Sequence, residues 1–92
     1  MIHIVKLGAE WCAPCRKYDP ILDTIAAERD DITVTKIDID QDPEAAKKYG
    51  VQGIPFTVFL DEVGKQIGQY QGPIGRIHLN KVIDQLQNWP DV

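Results

Sequence analysis

Hydrophobic and polar positions alternate along this 92-residue chain in blocks that predict strands and helices in turn. The run from Ile2 to Leu7 is short, apolar and β-branched and stops at Gly8, which predicts a central strand. In residues 13–29 the apolar positions recur at helical spacing, which predicts a helix with one buried face. That face comprises Tyr18, Ile21, Leu22, Ile25 and Ala26.

Two prolines fall within the predicted first helix and have different consequences. Pro14 lies in the first turn, where its missing N–H breaks no hydrogen bond. Pro20 lies in the interior, where it removes a hydrogen bond, so we expect a kink at that point.

The middle of the chain predicts a second strand and a short helix. Residues 32–39 alternate between the two faces of a strand, with Lys36 among those on one face. Asp42 is a suitable N-cap, Pro43 suits the first helical position, and Gly50 supplies a stop. The helix between them should therefore have only about two turns.

The last third of the chain predicts a hairpin and a final helix. Residues 56–60 and 65–70 are strands joined by a short turn. The last helix should end at Pro90, and its apolar face should contain Ile77, Leu79, Val82, Ile83, Leu86 and Trp89. The element order is β-α-β-α-β-β-α. A right-handed crossover then gives an α/β fold, with a mixed four-stranded sheet and three flanking helices in one domain, residues 1–92.

Charge and composition narrow the possible partners. A net charge of −4 and a pI near 4.9 argue against binding to nucleic acid or to an anionic membrane. No apolar run is long enough to span a bilayer. The segment Met1–Ile4 lacks the features of a secretory signal, so we expect the protein in a reducing cytoplasm.

The two cysteines carry the clearest chemical signal. Cys12 and Cys15 are the only cysteines, and they fall where the first strand meets its helix. Free N–H groups at a helix start favour a thiolate at Cys12, which we expect to be the nucleophile, with Cys15 as the resolving thiol. Zinc would need two more ligands, and His3 and His78 lack paired-ligand spacing, so we expect redox chemistry and no metal.

Several segments together resemble the thioredoxin family. They are Ala9–Cys15, Pro20–Asp23, Lys36–Pro43 and Tyr49–Pro55, in register along nearly the whole chain. The resemblance implies a thiol–disulfide oxidoreductase that reduces protein disulfides as a monomer. It also implies recharging by an NADPH-dependent flavoprotein reductase, with no cofactor bound to this chain.

The resemblance also implies a substrate groove beside the cysteines. Pro55 should follow a cis peptide bond, and Pro14 should tune how readily the dithiol is oxidised. The groove should be lined by Trp11, Gly53, Ile54, Pro55 and Gly72.

Four departures from the family pattern concern the neighbourhood of the cysteines and the chain start. The match to the family begins at its second strand, so we expect the leading strand and helix to be missing, and Ala13 and Gly8 stand where thioredoxins commonly carry a glycine and an aromatic residue. Lys6 occupies the position of a buried aspartate, while Lys36 matches a buried lysine.

The two lysines allow two interpretations. If both are tuning residues, the added positive charge favours the Cys12 thiolate and makes the disulfide more oxidising, provided that one lysine reaches solvent or pairs with Asp38 or Glu10. Otherwise Lys6 is a solvent-facing lysine at the end of a strand.

Two other functions compete with disulfide reduction. A glutaredoxin-like, glutathione-dependent reductase would suit the short chain, but the segment Gly72–Gly75 lacks the paired glycines and following acid of such proteins. A redox-inactive binding module would use the fold as a scaffold, and the presence of both cysteines argues against it.

Overall fold

Seven elements make up the computed structural model, which describes residues 1–87. They are β1 (Ile2–Gly8), α1 (Ala13–Glu28), β2 (Ile32–Asp38), α2 (Pro43–Tyr49), β3 (Phe56–Leu60), β4 (Gln66–Gln71) and α3 (Arg76–Gln87). The element order predicted from the sequence is confirmed.

The sheet has the strand order β2-β1-β3-β4, so β1 is central and β2 is at an edge. β1 runs parallel to β2 and antiparallel to β3, and β3 and β4 form the hairpin. The mixed four-stranded sheet with three helices is therefore confirmed. At one position of this register, Lys6 of β1 lies between Lys36 of β2 and Thr57 of β3.

The alternation of side chains along β1 builds two cores. Ile2 and Ile4 pack with α1 and α3 on one face of the sheet. Val5 and Leu7 pack with Ala45 of α2 on the other face. Because side chains alternate along a strand, Lys6 shares the face of Ile4 and lies under α1.

Local sequence signals set the bounds of the helices. In α2, Asp42 Oδ1 accepts a hydrogen bond from the Ala45 N–H at 3.2 Å, and Gly50 ends the helix with a left-handed φ of 65°. Both were expected from the sequence. The helix α1 continues through Pro20, and the expected kink there stays a prediction.

One assignment to the apolar face of α3 is wrong. The side chain of Ile77 is 76% exposed, whereas Leu79 and Ile83 are fully buried. Ile77 lies two residues before Leu79, which places it on the opposite side of the helix. Trp89 and Pro90 lie outside the described residues. Within residues 1–87, no helix has the length and apolar content that crossing a membrane would require.

Candidate active site

Cys12 and Cys15 are joined by a disulfide at the start of α1, with their Cα atoms 5.2 Å apart. Cys12 is the N-cap of the helix, and its Sγ accepts a hydrogen bond from the Cys15 N–H at 3.2 Å. This is the place that a side-chain oxygen takes in an ordinary N-cap. Once the disulfide opens, the same amide and the helix dipole favour a thiolate at Cys12.

The two cysteines are both buried, to slightly different extents. Cys12 retains 6% of its exposure, and Cys15, one turn into the helix, retains 1%. The assignment of Cys12 as the nucleophile stays a prediction. Pro14, an exposed residue of the first helical turn, lies between them. Its tuning role stays a prediction.

Trp11 lies beside the disulfide at the surface, where 68% of it is exposed. Its indole N–H donates a hydrogen bond to Asp40 Oδ2 at 2.7 Å. This hydrogen bond orients the indole of the residue that precedes Cys12, and no short-range sequence pattern signals it.

The segment before β3 lies against the cysteines. Ile54 packs on the cluster formed by Ala9, Cys12 and Cys15, and the Ile54–Pro55 peptide bond is cis. The Pro55 carbonyl oxygen accepts a hydrogen bond from the Gly72 N–H at 2.8 Å.

Gly53 is the remaining glycine of the expected groove. A Cβ at Gly53 would come within 2.9 Å of the side-chain amide of Gln71, so that side chain occupies the space beside the glycine. These contacts bring Ile54, Pro55 and Gly72 together near the disulfide. Their use as a substrate groove stays a prediction.

Lys6 is buried, with 5% of its surface exposed, so the expectation that it faces solvent is wrong. Its Nζ forms an ion pair with Asp19 Oδ1 at 2.7 Å, and within the described residues that buried oxygen has no hydrogen-bond partner. The expected partners Asp38 and Glu10 are therefore wrong for this lysine. Asp19 follows Cys15 by four residues, which places both on the helix face above β1. That spacing is the sequence signal that could have identified Asp19.

Lys36 has a different environment from its register partner Lys6. Its side chain is 36% exposed, and its Nζ donates a hydrogen bond to Asp23 Oδ1 at 2.6 Å. Lys36, on the edge strand β2, is therefore the one of the two lysines that reaches solvent. Asp23 lies one helical turn after Asp19.

Gly8 leaves room for the charged end of Lys6 behind the disulfide. A Cβ at Gly8 would lie 2.8 Å from Lys6 Nζ and 3.1 Å from Cys15 Sγ. This space belongs to a cavity of about 530 Å³. Its charged lining consists of Lys6, Arg16, Lys36, Glu10, Asp19 and Asp38.

A buried pair of hydroxyls lies on the same face of the sheet. The Tyr18 hydroxyl and Thr57 Oγ1 are 2.9 Å apart, and Thr57 is the register partner of Lys6. Burial raises the pKa of Tyr18 to about 12, although the hydrogen bond with Thr57 opposes the rise. Tyr18 is therefore neutral at physiological pH.

The described part of the chain offers no cluster of side chains suited to binding a metal ion. Residues 1–87 contain no group of three or more His, Cys, Asp or Glu side chains that could hold a metal ion. Both ring nitrogens of His3 contact hydroxyls, those of Thr33 and Thr35. The His78 ring packs edge-on against Tyr70, with ring centres 5.5 Å apart.

Known proteins resemble this chain along most of its length. A family model described as Thioredoxin matches residues 1–85. Thioredoxin of Chlamydia trachomatis serovar D is 37% identical over 84 residues, covering 91% of this chain and 81% of that protein. Thioredoxin of Mycobacterium tuberculosis is 39% identical over 84 residues, covering 90% of this chain and 72% of that protein.

A solved structure shows the same likeness in three dimensions. The X-ray structure of Fasciola hepatica thioredoxin aligns with a TM-score of 0.83 at 33% identity, covering 91% of this chain and 79% of that chain. The matched region includes both cysteines, which form a disulfide at a helix start. The activity of this site is thiol–disulfide exchange, and the chain belongs to the thioredoxin family.

Proposed function

We propose that this protein reduces disulfides in other proteins, with Cys12 as the attacking thiolate and Cys15 as the resolving thiol. The observation that carries the proposal is the asymmetry of the two sulfurs. Cys12 accepts the helix-start hydrogen bond and is the more exposed, while Cys15 is shielded one turn into the helix. The thiolate is the nucleophile in disulfide exchange, so the first attack falls to Cys12.

The reaction has two exchange steps. The Cys12 thiolate attacks one sulfur of the substrate disulfide, that bond breaks, and the leaving thiolate takes up a proton. The Cys15 thiol then loses its proton and attacks Cys12 Sγ, which releases the second substrate sulfur as a thiol. Two electrons pass to the substrate and the Cys12–Cys15 disulfide remains. The sulfurs themselves carry the electrons, so exchange needs no bound cofactor.

Substrates bind, in this proposal, as an extended segment over a groove lined by Trp11, Gly53, Ile54, Pro55 and Gly72. The support is that Trp11 is exposed beside Cys12 while Ile54 packs on the disulfide. Backbone pairing with an extended segment is a common way of recognising peptides of varied sequence.

Recharging the disulfide requires a source of two electrons. We assign this to an NADPH-dependent flavoprotein reductase, on the strength of the family membership. A reducing cytoplasm would suit that cycle. Both cysteines come from one chain, so the site needs no second copy and the proposal takes the protein as a monomer.

Reduction of insulin, followed by turbidity, tests the proposal. The wild type should catalyse it with NADPH and a thioredoxin reductase, and Cys12→Ser should reduce the rate to the uncatalysed background. Cys15→Ser should trap a mixed disulfide with the substrate that a mass spectrum detects. Equal rates for the wild type and Cys12→Ser would overturn the proposal and favour a binding module. Recharging by glutathione alone would overturn the assigned electron donor.

A further inference from the structure

A cationic side chain lies behind the resolving sulfur. Lys6 Nζ and Cys15 Sγ flank the empty Cβ position of Gly8, at 2.8 and 3.1 Å from it. Their separation is therefore no more than about 6 Å, within the range over which a charge changes the ionisation of a neighbour. Both side chains are buried, so little water lies between them to screen the interaction.

We propose that Lys6 is a positioning residue for the second exchange step, in which its ammonium stabilises the thiolate of Cys15 and Asp19 limits that effect. This inference rests on the proposed function, since it assumes that Cys15 is the resolving thiol. The sulfur affected is Cys15, whereas the sequence alone led us to expect an effect on Cys12.

The other charged groups around Cys15 do not replace Lys6 in this role. The cavity beside the sulfur is lined by three cations and three anions, so its formal charge is zero. Glu10, Arg16 and Lys36 are exposed, and Lys36 is bonded to Asp23. Asp38 is partly buried, and its Oδ1 accepts a hydrogen bond from the Asp40 N–H. Lys6 alone among these six is fully buried, and only Asp19 is paired with it.

Lys6 forms no bond and transfers no proton in the exchange reaction. The Cys15 thiol loses its proton to solvent and its sulfur bonds to Cys12 Sγ, while the Cys12–substrate bond breaks and the substrate sulfur takes up a proton from solvent. The ammonium keeps its three protons throughout. It lowers the free energy of the anionic state that precedes the attack.

The same interaction changes the redox equilibrium in a defined direction. A cation that favours a thiolate stabilises the reduced dithiol relative to the disulfide, and so makes the protein more oxidising. Removal of the cation should have the opposite effect. Removal of the counter-charge on Asp19 should strengthen the effect of the cation, so variants at the two positions should move the equilibrium in opposite directions.

Equilibration with reduced and oxidised glutathione tests the direction of the effect. Lys6→Met keeps the length of the side chain without its charge, and should lower the equilibrium constant for reduction of the disulfide about tenfold, or about 30 mV. Asp19→Asn should raise that constant at least about threefold, and Lys6→Arg should leave it within about threefold of wild type. Asp23→Asn, which removes the counter-charge of exposed Lys36, is the matched control and should change it less than about twofold.

A stopped-flow reaction with dithiobis-nitrobenzoate shows which sulfur Lys6 affects. The reduced protein should release one coloured thiolate when Cys12 attacks and a second when Cys15 resolves the mixed disulfide. In Lys6→Met, the second phase should slow, and the midpoint of its pH dependence should rise by about one pH unit. The first phase should change less than about twofold.

Each result either supports the inference or overturns it. A second phase and an equilibrium constant unchanged in Lys6→Met would overturn it, as would a change confined to the first phase. Shifts in the same direction for Lys6→Met and Asp19→Asn would indicate a packing effect and would also overturn it. Absence of both phases in the wild type would instead overturn the proposed function. Lys6→Met removes a buried charge and keeps the side-chain volume, so the test stands even if Asp19→Asn unfolds.

Discussion

Lys6 and Lys36 are register partners on adjacent parallel strands, yet each ammonium pairs with a different carboxylate of the same helix. Asp19 and Asp23 are four residues apart in α1, so they lie one above the other and reach neighbouring strands. The ammonium on the central strand is buried and its Asp19 partner is partly exposed, while both members of the pair on the edge strand are exposed. The two pairs should therefore differ in how they affect stability.

Asp19→Asn should lower the free energy of unfolding by about 3 kcal/mol, because it leaves the buried Lys6 ammonium without its counter-charge. Lys6→Met should also lower that free energy, but by less, because the Asp19 carboxylate that it leaves unpaired is 32% exposed and keeps contact with water. Urea unfolding followed by circular dichroism measures both.

The second pair supplies the control for that comparison. Asp23→Asn and Lys36→Met should each cost less than about 1 kcal/mol, because solvent screens exposed ion pairs. A loss at Asp23 as large as the loss at Asp19 would contradict the role assigned to burial.

Gly8→Ala should disturb Lys6 more than the backbone. The glycine has no left-handed φ, so alanine fits its backbone, but the new Cβ would lie 2.8 Å from Lys6 Nζ and 2.9 Å from Lys6 Cε. We expect a loss of about 1–3 kcal/mol from this overpacking. The loss should shrink by at least about 1 kcal/mol in a Lys6→Ala background, where the clashing atoms are absent.

A second glycine provides the control for Gly8. A Cβ at Gly75 meets nothing within 4 Å, and its φ is not left-handed, so Gly75→Ala should change stability by less than about 1 kcal/mol. Additive effects of Gly8→Ala and Lys6→Ala in the unfolding measurements would show that the two residues do not share this space.

The sequence predicts the fold well because the signals for it are local. Periodic apolar positions mark β1 and α1, and the caps Asp42 and Gly50 bracket α2 within a few residues. The start of α1 at Ala13 is signalled in the same way by Pro14 in the first turn, and it places both cysteines at a helix N-terminus.

The partners of the charged side chains could not be found in the same way. Lysine side chains are long, and the choice among Asp19, Asp38 and Glu10 for Lys6 depends on how α1 lies over the sheet. The pairing of Trp11 with Asp40 likewise joins residues that are far apart in sequence. These contacts follow from tertiary packing, for which the spacing of residues along the chain gives only weak signals.

Tyr18→Phe should leave the buried Thr57 hydroxyl without its partner and cost about 1–2 kcal/mol at pH 7. The double variant with Thr57→Val should recover part of that loss, because both buried polar groups are then removed. If the losses in free energy of unfolding for Tyr18→Phe and Thr57→Val simply add in the double variant, the two hydroxyls are not coupled and this prediction is contradicted.

The alkaline limb of the stability curve should also depend on Tyr18. The pKa of Tyr18 is raised in the folded protein from 10.0 to about 12, so the unfolded chain loses this proton first as pH rises. The stabilising contribution of the neutral phenol is fully present below pH 10 and is lost as pH rises towards 12, by about 2 kcal/mol. Tyr18→Phe should lack this component when unfolding is measured between pH 9 and 11.

Arg29 ties the end of α1 to α3, so Arg29→Met should weaken the docking of α3. Its guanidinium donates two hydrogen bonds to Asp31, at 2.9 and 2.8 Å, and others to Asn80 and Asp84 of α3, at 3.0 and 2.8 Å. Loss of these hydrogen bonds should lower the free energy of unfolding by about 1–2 kcal/mol. The effect is no larger because solvent screens both carboxylates, which are partly exposed. Protection of α3 amides from hydrogen exchange should fall more than protection of β1 amides.

The contribution of Arg29 should fade in acid. The guanidinium holds the pKa of Asp31 below its ordinary value of 3.8, so the folded state favours the carboxylate. That contribution is present above about pH 4 and is lost as pH falls further, because protonation of Asp31 removes the charge that pairs with Arg29. The stability difference between wild type and Arg29→Met should therefore shrink between pH 5 and pH 3. Lys47→Met, which removes an exposed pair with Glu44 at 3.7 Å, should show a difference near zero across that range.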